Sequence, residues 1–171
     1  MAEKFPLGKG RGLTPEELHE FLTQTAIIAK VGSIDADGYP AVHPVWYEYD
    51  GAAFYLVTKE LTGFCQNLRR DPRTSLCIEN PQLPYKRAIV RGTAEFIEED
   101  WGPRARRMVL RYLGEEGMAY FEATLDLARV PIRIRPERFS SWNGGGVDRT
   151  FWKPAVWHDV AEGQPLEEAA W

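Results

Sequence analysis

Apolar residues recur along the chain with two periods, and the switches between them divide it into elements. Leu18, Phe21 and Leu22 stand three and four apart, the spacing of one helix face, within the stretch LTPEELHEFLTQ at 13–24. Thr14 occupies the N-cap position, Pro15 the first helical position and Glu17 the place that completes a capping box. Residues 26–34 (AIIAKVGSI) then read as a strand, and DADG at 35–38 as a turn. YPAVHPVWYEY at 39–49 reads as a second strand, which Pro40 and Pro44 confine to an edge or an irregular course. Asp50-Gly51 is the next hairpin turn and AAFYLVT at 52–58 the third strand.

Leu61, Phe64, Cys65 and Leu68 return to helical spacing, and Asp71-Pro72 stops that helix. RTSLCIEN at 73–80 is strand-like, PQLP is loop, and YKRAIVRGTAEFIEE at 85–99 reads as a long strand bent at Gly92. Two helices are expected in GPRARRMVLRYLG and EEGMAYFEATLD, joined near Gly114. A last strand covers 130–142, where Ile132 and Ile134 alternate with Arg133 and Arg135 as on a sheet with one wet face. Short strands, tight turns and few helices predict a closed or nearly closed antiparallel barrel flanked by helices. Residues 1–12 read as a flexible arm, 13–142 as the barrel domain, and 143–171 as an aromatic tail packing on the barrel or on a dimer partner.

Composition narrows the function. A chain of 171 residues is one domain by size. The formal net charge of −4 argues against a general nucleic-acid binder. No apolar run approaches the ~20 residues of a membrane span, and the N-terminal MAEKFPLGKGRG lacks the apolar run of a secretory signal. Cys65 and Cys77 make no metal-ligand spacing and suit a reducing cytosol, so a cytoplasmic protein is expected. GxSxG, Walker and HExxH signatures are missing, and His19, His43 and His158 have no metal-binding spacing. No metal site is expected. An aromatic-rich barrel without a nucleophile fits a bound cofactor that carries the chemistry itself.

The stretch YLVTKELTGFCQNLRRDP at 55–72 holds the main candidate site. Thr58, Lys59 and Thr62 gather where a strand opens into a helix N-terminus, where free N–H groups and the helix dipole attract an anion. The competing reading is that a threonine merely caps the helix and Lys59 is a surface charge. Arg104, Arg107 and Arg111 fall on one helix face. They read either as a basic rim for a polyanionic cofactor tail or as a solvated stripe balanced by Glu98, Glu99 and Asp100.

In order, VGSIDADGYPAVHPVWYEYDGAAFYLVT, then NLRRDPR, SLCIEN and RAIVRGTAEF resemble the pyridoxamine 5′-phosphate oxidase-like family, the FMN-binding split barrels, with the deazaflavin-dependent branch favoured. The resemblance runs from about Thr14 to Trp142. It implies a mainly β (α+β) fold, a six-stranded antiparallel split β-barrel with flanking helices. It also implies a homodimer with cofactor sites at the interface. By position, Val45 and Trp46 would line the cofactor ring, Val57 and Thr58 would meet its polar edge or ribityl chain, and Thr62 and Lys59 would reach the phosphate. Phe64 would face the core or stack near the cofactor, and Trp142 would lie near the flavin of the partner subunit or pack plainly.

One departure matters. The family's FMN oxidases carry an Arg-Lys pair where this chain has Gly63 and Phe64. Lys59, Arg87, Arg91 or a partner's arginine are the candidates to compensate. The resemblance therefore implies a flavin- or deazaflavin-dependent oxidoreductase acting on a small hydrophobic conjugated substrate. The deazaflavin coenzyme F-420 is favoured and FMN is the alternative. A proton donor is left open among Tyr47, Tyr55 and His43. The reading from a different class is a non-catalytic protein that stores a flavin, haem or tetrapyrrole, with His43 the one plausibly placed haem ligand.

Overall fold

Residues 12–24, 26–82, 85–144 and 156–169 are described by a computed structural model. The first helix, α1 (Pro15–Thr23), carries the expected capping box. Thr14 Oγ1 accepts from the Glu17 N–H, while Glu17 Oε2 accepts from the Thr14 N–H at 2.9 Å. Its apolar stripe of Leu18, Phe21 and Leu22 is fully buried.

Among the described residues eight strands form one antiparallel sheet: β1 (Ala29–Ile34), β2 (Pro40–Val45), β3 (Glu48–Tyr49), β4 (Phe54–Lys59), β5 (Arg73–Asn80), β6 (Tyr85–Phe96), β7 (Arg129–Gly144) and β8 (His158–Asp159). β3 and β8 have two residues each, so the sheet proper has the six strands expected. Their order is β2-β1-β5-β6-β7-β4-β3, with β8 beside β7. The strand expected over 39–49 is interrupted at Trp46 and Tyr47, and this break shapes the molecule. β2 and β3 lie at opposite ends of the sheet order, yet two residues join them. Three Cα–Cα steps span at most about 11 Å, so the sheet must curl until its ends meet. β2 pairs with β1 and β3 with β4, but β2 and β4 do not pair. The barrel closes in space and stays split in hydrogen bonding.

Inside, Val31, Leu56, Leu76, Ile78, Val90, Ile132, Ile134 and Phe139 form a core that excludes water. α2 (Gly63–Arg70) inserts Phe64, Cys65 and Leu68 into it. The tail contributes Leu166 and Ala169 to the same core. Tyr49 Oη accepts from Leu166 N–H at 3.1 Å, and Glu167 contacts His19 Nδ1 at 2.6 Å. The arm over 1–12, apart from Gly12, and Trp152 of the tail lie outside the described residues.

α3 (Gly102–Leu113) and α4 (Met118–Glu122) lie against the outer face of β4, where Tyr55 and Val57 meet Met108, Val109 and Phe121. The second of the two expected helices is shorter than its sequence suggests. A 3-10 turn at Glu115–Gly117 precedes α4, whose helical part is five residues long.

The bend expected at Gly92 is a bulge between Arg91 and Gly92, where β6 crosses β7 closely. A Cβ on Gly92 would sit 2.0 Å from the Arg135 carbonyl oxygen, whereas one on Gly63 would meet nothing within 4 Å. Gly92→Ala is therefore expected to lower stability by about 2 kcal/mol or more, and Gly63→Ala to change it by about 0.5 kcal/mol at most. Chemical denaturation of both variants checks the contrast.

Candidate functional site

The split between β2 and β4 is a groove of about 270 Å³. Val45 and Trp46 reach it from the β2 side; Val57, Thr58 and Lys59 from β4; and Thr62 from the start of α2. Six of the eight residues singled out in the sequence thus meet at one place. Pro44, Leu56 and Arg129 complete the lining.

Two further residues do not line this groove, of which Trp142 was expected at the site of a partner subunit. Phe64 is 4% exposed, on the inward face of α2, with its ring 4.9 Å from that of His43. The helix period that buries Cys65 and Leu68 buries Phe64 with them. Trp142 sits on β7 opposite Arg87, whose guanidinium lies 5.8 Å from the indole. Neither lines the groove.

At the strand–helix junction the hydrogen bonds decide what each group can offer. Thr62 Oγ1 donates to the Lys59 carbonyl at 3.0 Å and accepts from the Cys65 N–H at 3.3 Å. Its only proton is committed, so the hydroxyl caps α2 and has none to donate to an anion. The first N–H groups of α2, at Gly63 and Phe64, are left without intrahelical acceptors. Lys59 is exposed, and no acidic side chain among the described residues pairs with it. Directly across the ladder from Lys59 stands Arg129. Arg129 Nε is buried without a hydrogen-bond partner among the described residues, and its guanidinium lies 5.6 Å from the Trp101 ring. Two like charges on facing strands repel, and a buried unsatisfied donor is costly. An anion between them relieves both.

Arg129 is the site residue that sequence reasoning missed. Only the antiparallel register of β4 with β7 sets it beside Lys59, and nothing local in either stretch signals that pairing. Of the compensating cations named from sequence, Arg87 and Arg91 lie elsewhere, over Trp142 and Trp157.

Trp46 is held from behind. Its ring stacks on Tyr112 at 5.2 Å and 5°, and Tyr120 meets its edge at 6.5 Å. Tyr112 Oη donates to the Ile27 carbonyl at 3.0 Å and accepts from the Tyr47 N–H at 3.3 Å. Arg111 donates to the Leu22 carbonyl at 2.9 Å and lies 4.8 Å from the Tyr47 ring. Arg104 and Arg107 both bind Glu48 on β3, and Arg104 also binds Glu99. The arginine stripe is therefore neither a solvated face nor a free basic rim. It clamps α3 to β3 and to α1. Of the acids expected to balance it, Glu99 does so; the main partner, Glu48, comes from β3.

None of the three proton-donor candidates lines the groove. Tyr47 is buried in the core with Oη donating to the Leu22 carbonyl, and burial pushes its pKa far up. Tyr55 lies under Arg104, whose guanidinium is 3.5 Å from the ring; burial and Asp50 raise its pKa. His43 turns toward Phe64. Among the described residues no three His, Cys, Asp or Glu side chains gather to hold a metal. No helix among them is long and apolar enough to cross a membrane.

Behind Trp46 and Val57 lies a second cavity of about 210 Å³, roofed by α3 and α4. It shares Pro44, Trp46, Val57 and Arg129 with the groove.

No curated protein matches the chain. Among solved structures, a conserved hypothetical protein of Mycobacterium tuberculosis superposes with a TM-score of 0.63 at 24% identity, over 94% of this chain and 98% of its own. An F420 reductase gives 0.58 at 23% identity, over 71% of this chain and 94% of its own. The haem storage protein of Vibrio cholerae gives 0.59 at 20% identity, over 80% and 97%. At such identities the likeness is one of fold. The family described as pyridoxamine 5′-phosphate oxidase matches residues 14–143, from the N-cap of α1 almost to the end of β7. With that match running through the whole split barrel and over most of the chain, the protein belongs to the pyridoxamine 5′-phosphate oxidase family.

Proposed function

We propose that the groove between β2 and β4 binds a phosphorylated flavin-type cofactor, and that the protein is an oxidoreductase acting on a small hydrophobic conjugated substrate. The observation that carries this reading is the pairing of an apolar slot with two unneutralised cations at one end. Val45, Trp46 and Val57 suit a flat ring, while Lys59 and Arg129 suit a phosphate. The residues present therefore fit such a cofactor. Lys59 and Arg129 take the place of the Arg-Lys pair that Gly63 and Phe64 leave out. When bound, a reduced flavin or deazaflavin supplies a hydride. The chain's own part is to hold the ring against Trp46, neutralise the phosphate and keep water from the slot. Among the described residues no acid or histidine lines the groove.

Between the two cofactors, the open junction favours the deazaflavin coenzyme over FMN. Nothing lies within 4 Å of a Cβ built on Gly63, and Leu61 beside it is 88% exposed. A phosphate that continues into a lactyl-glutamyl tail needs such an exit; a terminal phosphate does not. Arg104 and Arg107 cannot receive that tail, because Glu48 and Glu99 already hold them. The haem-storage reading draws no support from the groove, since no histidine lines it.

The protein is further proposed to act as a two-fold homodimer. β2 presents Val42 at 66% exposure between Pro40 and Pro44, and Tyr39 beside it is 72% exposed. Exposed apolar side chains on the strand that supplies one wall of the groove support an interface there.

Lys59→Ala and Arg129→Ala are each expected to weaken cofactor binding about tenfold or more, and Lys59→Ala to leave the melting temperature without cofactor nearly unchanged. Titration calorimetry and thermal melts measure both. In parallel titrations the wild type is expected to bind the deazaflavin coenzyme more tightly than FMN, and Gly63→Arg to narrow the gap. Equal or tighter FMN binding overturns the preference and leaves the groove in place. Light scattering is expected to give a dimer mass for the wild type and a monomer mass for Val42→Asp; a wild-type monomer contradicts the dimer.

A further inference from the structure

The cavity beneath α3 and α4 is chemically unlike the groove. Its walls are Trp101, Ala105, Met108, Val109 and Phe121, with Tyr120 at the rim. No acidic side chain lines it. Thr124 is its one hydroxyl apart from Tyr120, and its proton is already donated to the Phe121 carbonyl at 3.1 Å. The sole cation, Arg129, stands at the boundary with the groove, opposite Lys59. Away from Arg129, a charged group drawn inside would lose its hydration and find no spare partner, which makes its burial there costly. An apolar one would lose nothing.

Shape points the same way. Trp46 is fixed by its stack on Tyr112, and Tyr120 stands across its edge, so the wall shared with the groove is a rigid aromatic plate. A dry apolar cavity of roughly 150 Å³ holds benzene; at about 210 Å³ this one has room for a somewhat larger ring. The roof is slight. α4 has five helical residues, and Tyr120 is 49% exposed, so a ligand has a short way in.

We propose that this cavity is a second binding site, for a neutral planar ring compound, divided from the groove by the Trp46 plate. The ring site does not rest on the flavin-type reading of the groove. Pro44, Trp46 and Val57 belong to both linings, so a ring held here lies against the slot proposed for the cofactor.

Equilibrium dialysis of the full-length protein with 2-naphthol and with 2-naphthoate tests the site, each probe being followed by its own fluorescence. Saturable binding of 2-naphthol is expected, with 2-naphthoate at least tenfold weaker. Ala105→Phe fills the cavity from α3 and is expected to weaken 2-naphthol binding at least tenfold while cofactor affinity holds. Should that buried change impair folding, Thr124→Trp fills the cavity from its half-buried rim and is expected to do the same. Lys59→Ala is expected to weaken the cofactor and leave 2-naphthol binding as it was. Absence of 2-naphthol binding, binding indifferent to both filling substitutions, or tighter binding of 2-naphthoate overturns the ring site. Intact 2-naphthol binding in a protein that binds neither flavin nor deazaflavin overturns the groove reading instead and leaves the ring site standing.

Discussion

Two residues, Trp46 and Tyr47, join the opposite ends of the sheet, and the rest of the structure depends on that bridge. It forces a sheet that is open by pairing to close by connectivity. Successive side chains leave an extended chain on opposite sides. Tyr47 accordingly enters the core and donates to the Leu22 carbonyl, while Trp46 turns outward onto Tyr112. One residue seals the barrel and its neighbour builds the wall of the groove. Were β2 and β4 hydrogen-bonded instead, the fold would have a closed wall and no slot.

The charges around the bridge hold α3 where the two cavities need it. Glu48, next to Tyr47, draws Arg104 and Arg107 onto β3. Burial opposes ionisation of Glu48, but the hydrogen bonds from Arg107 and then Arg104 outweigh it, so its pKa lies below the ordinary glutamate value. A lowered pKa means that this tie contributes fully above the ordinary glutamate range and is lost only as pH falls through the lowered value. At neutral pH α3 stays docked. Among the described residues Lys59 and Arg129 have no such acid between them, so a facing carboxylate separates the arginines tied into the structure from this cation pair.

Much of the fold was legible because it is written in local signals. The capping box at Thr14, the alternation of Ile132 and Ile134 with arginines in β7 and the bend at Gly92 each depend on a few adjacent residues, and each is found where expected. The break at Trp46–Tyr47 was not legible, since a run of β-formers from Tyr39 to Tyr49 says nothing about which neighbour each half will pair with. The candidate site was legible in part. Val45, Trp46, Val57, Thr58, Lys59 and Thr62 lie at the end of β2, on β4 and at the start of α2, all close in sequence, so their convergence could be foreseen from the family resemblance. Arg129 could not, because its place is set by strand register across a long separation. Phe64 was legible as one of two alternatives: its position in the family's motif suggested a contact with the cofactor, while its helical period with Cys65 and Leu68 pointed to the core, where it lies. The roles of Arg104 and Arg107 depended on Glu48, an acid in a distant strand that no helix-face pattern reveals.

The central claim is that a ligand lies in the split, against Trp46 on the side away from Tyr112. The indole N–H resonances of a ¹⁵N-labelled sample, assigned by single Trp→Phe variants, report on it directly during titration with the deazaflavin coenzyme or FMN. A saturating shift of the Trp46 signal, which Lys59→Ala displaces to higher ligand concentration, is the result expected. A Trp46 signal that stays in place while another indole, such as that of Trp142, titrates would contradict the account and put the ligand elsewhere on the barrel.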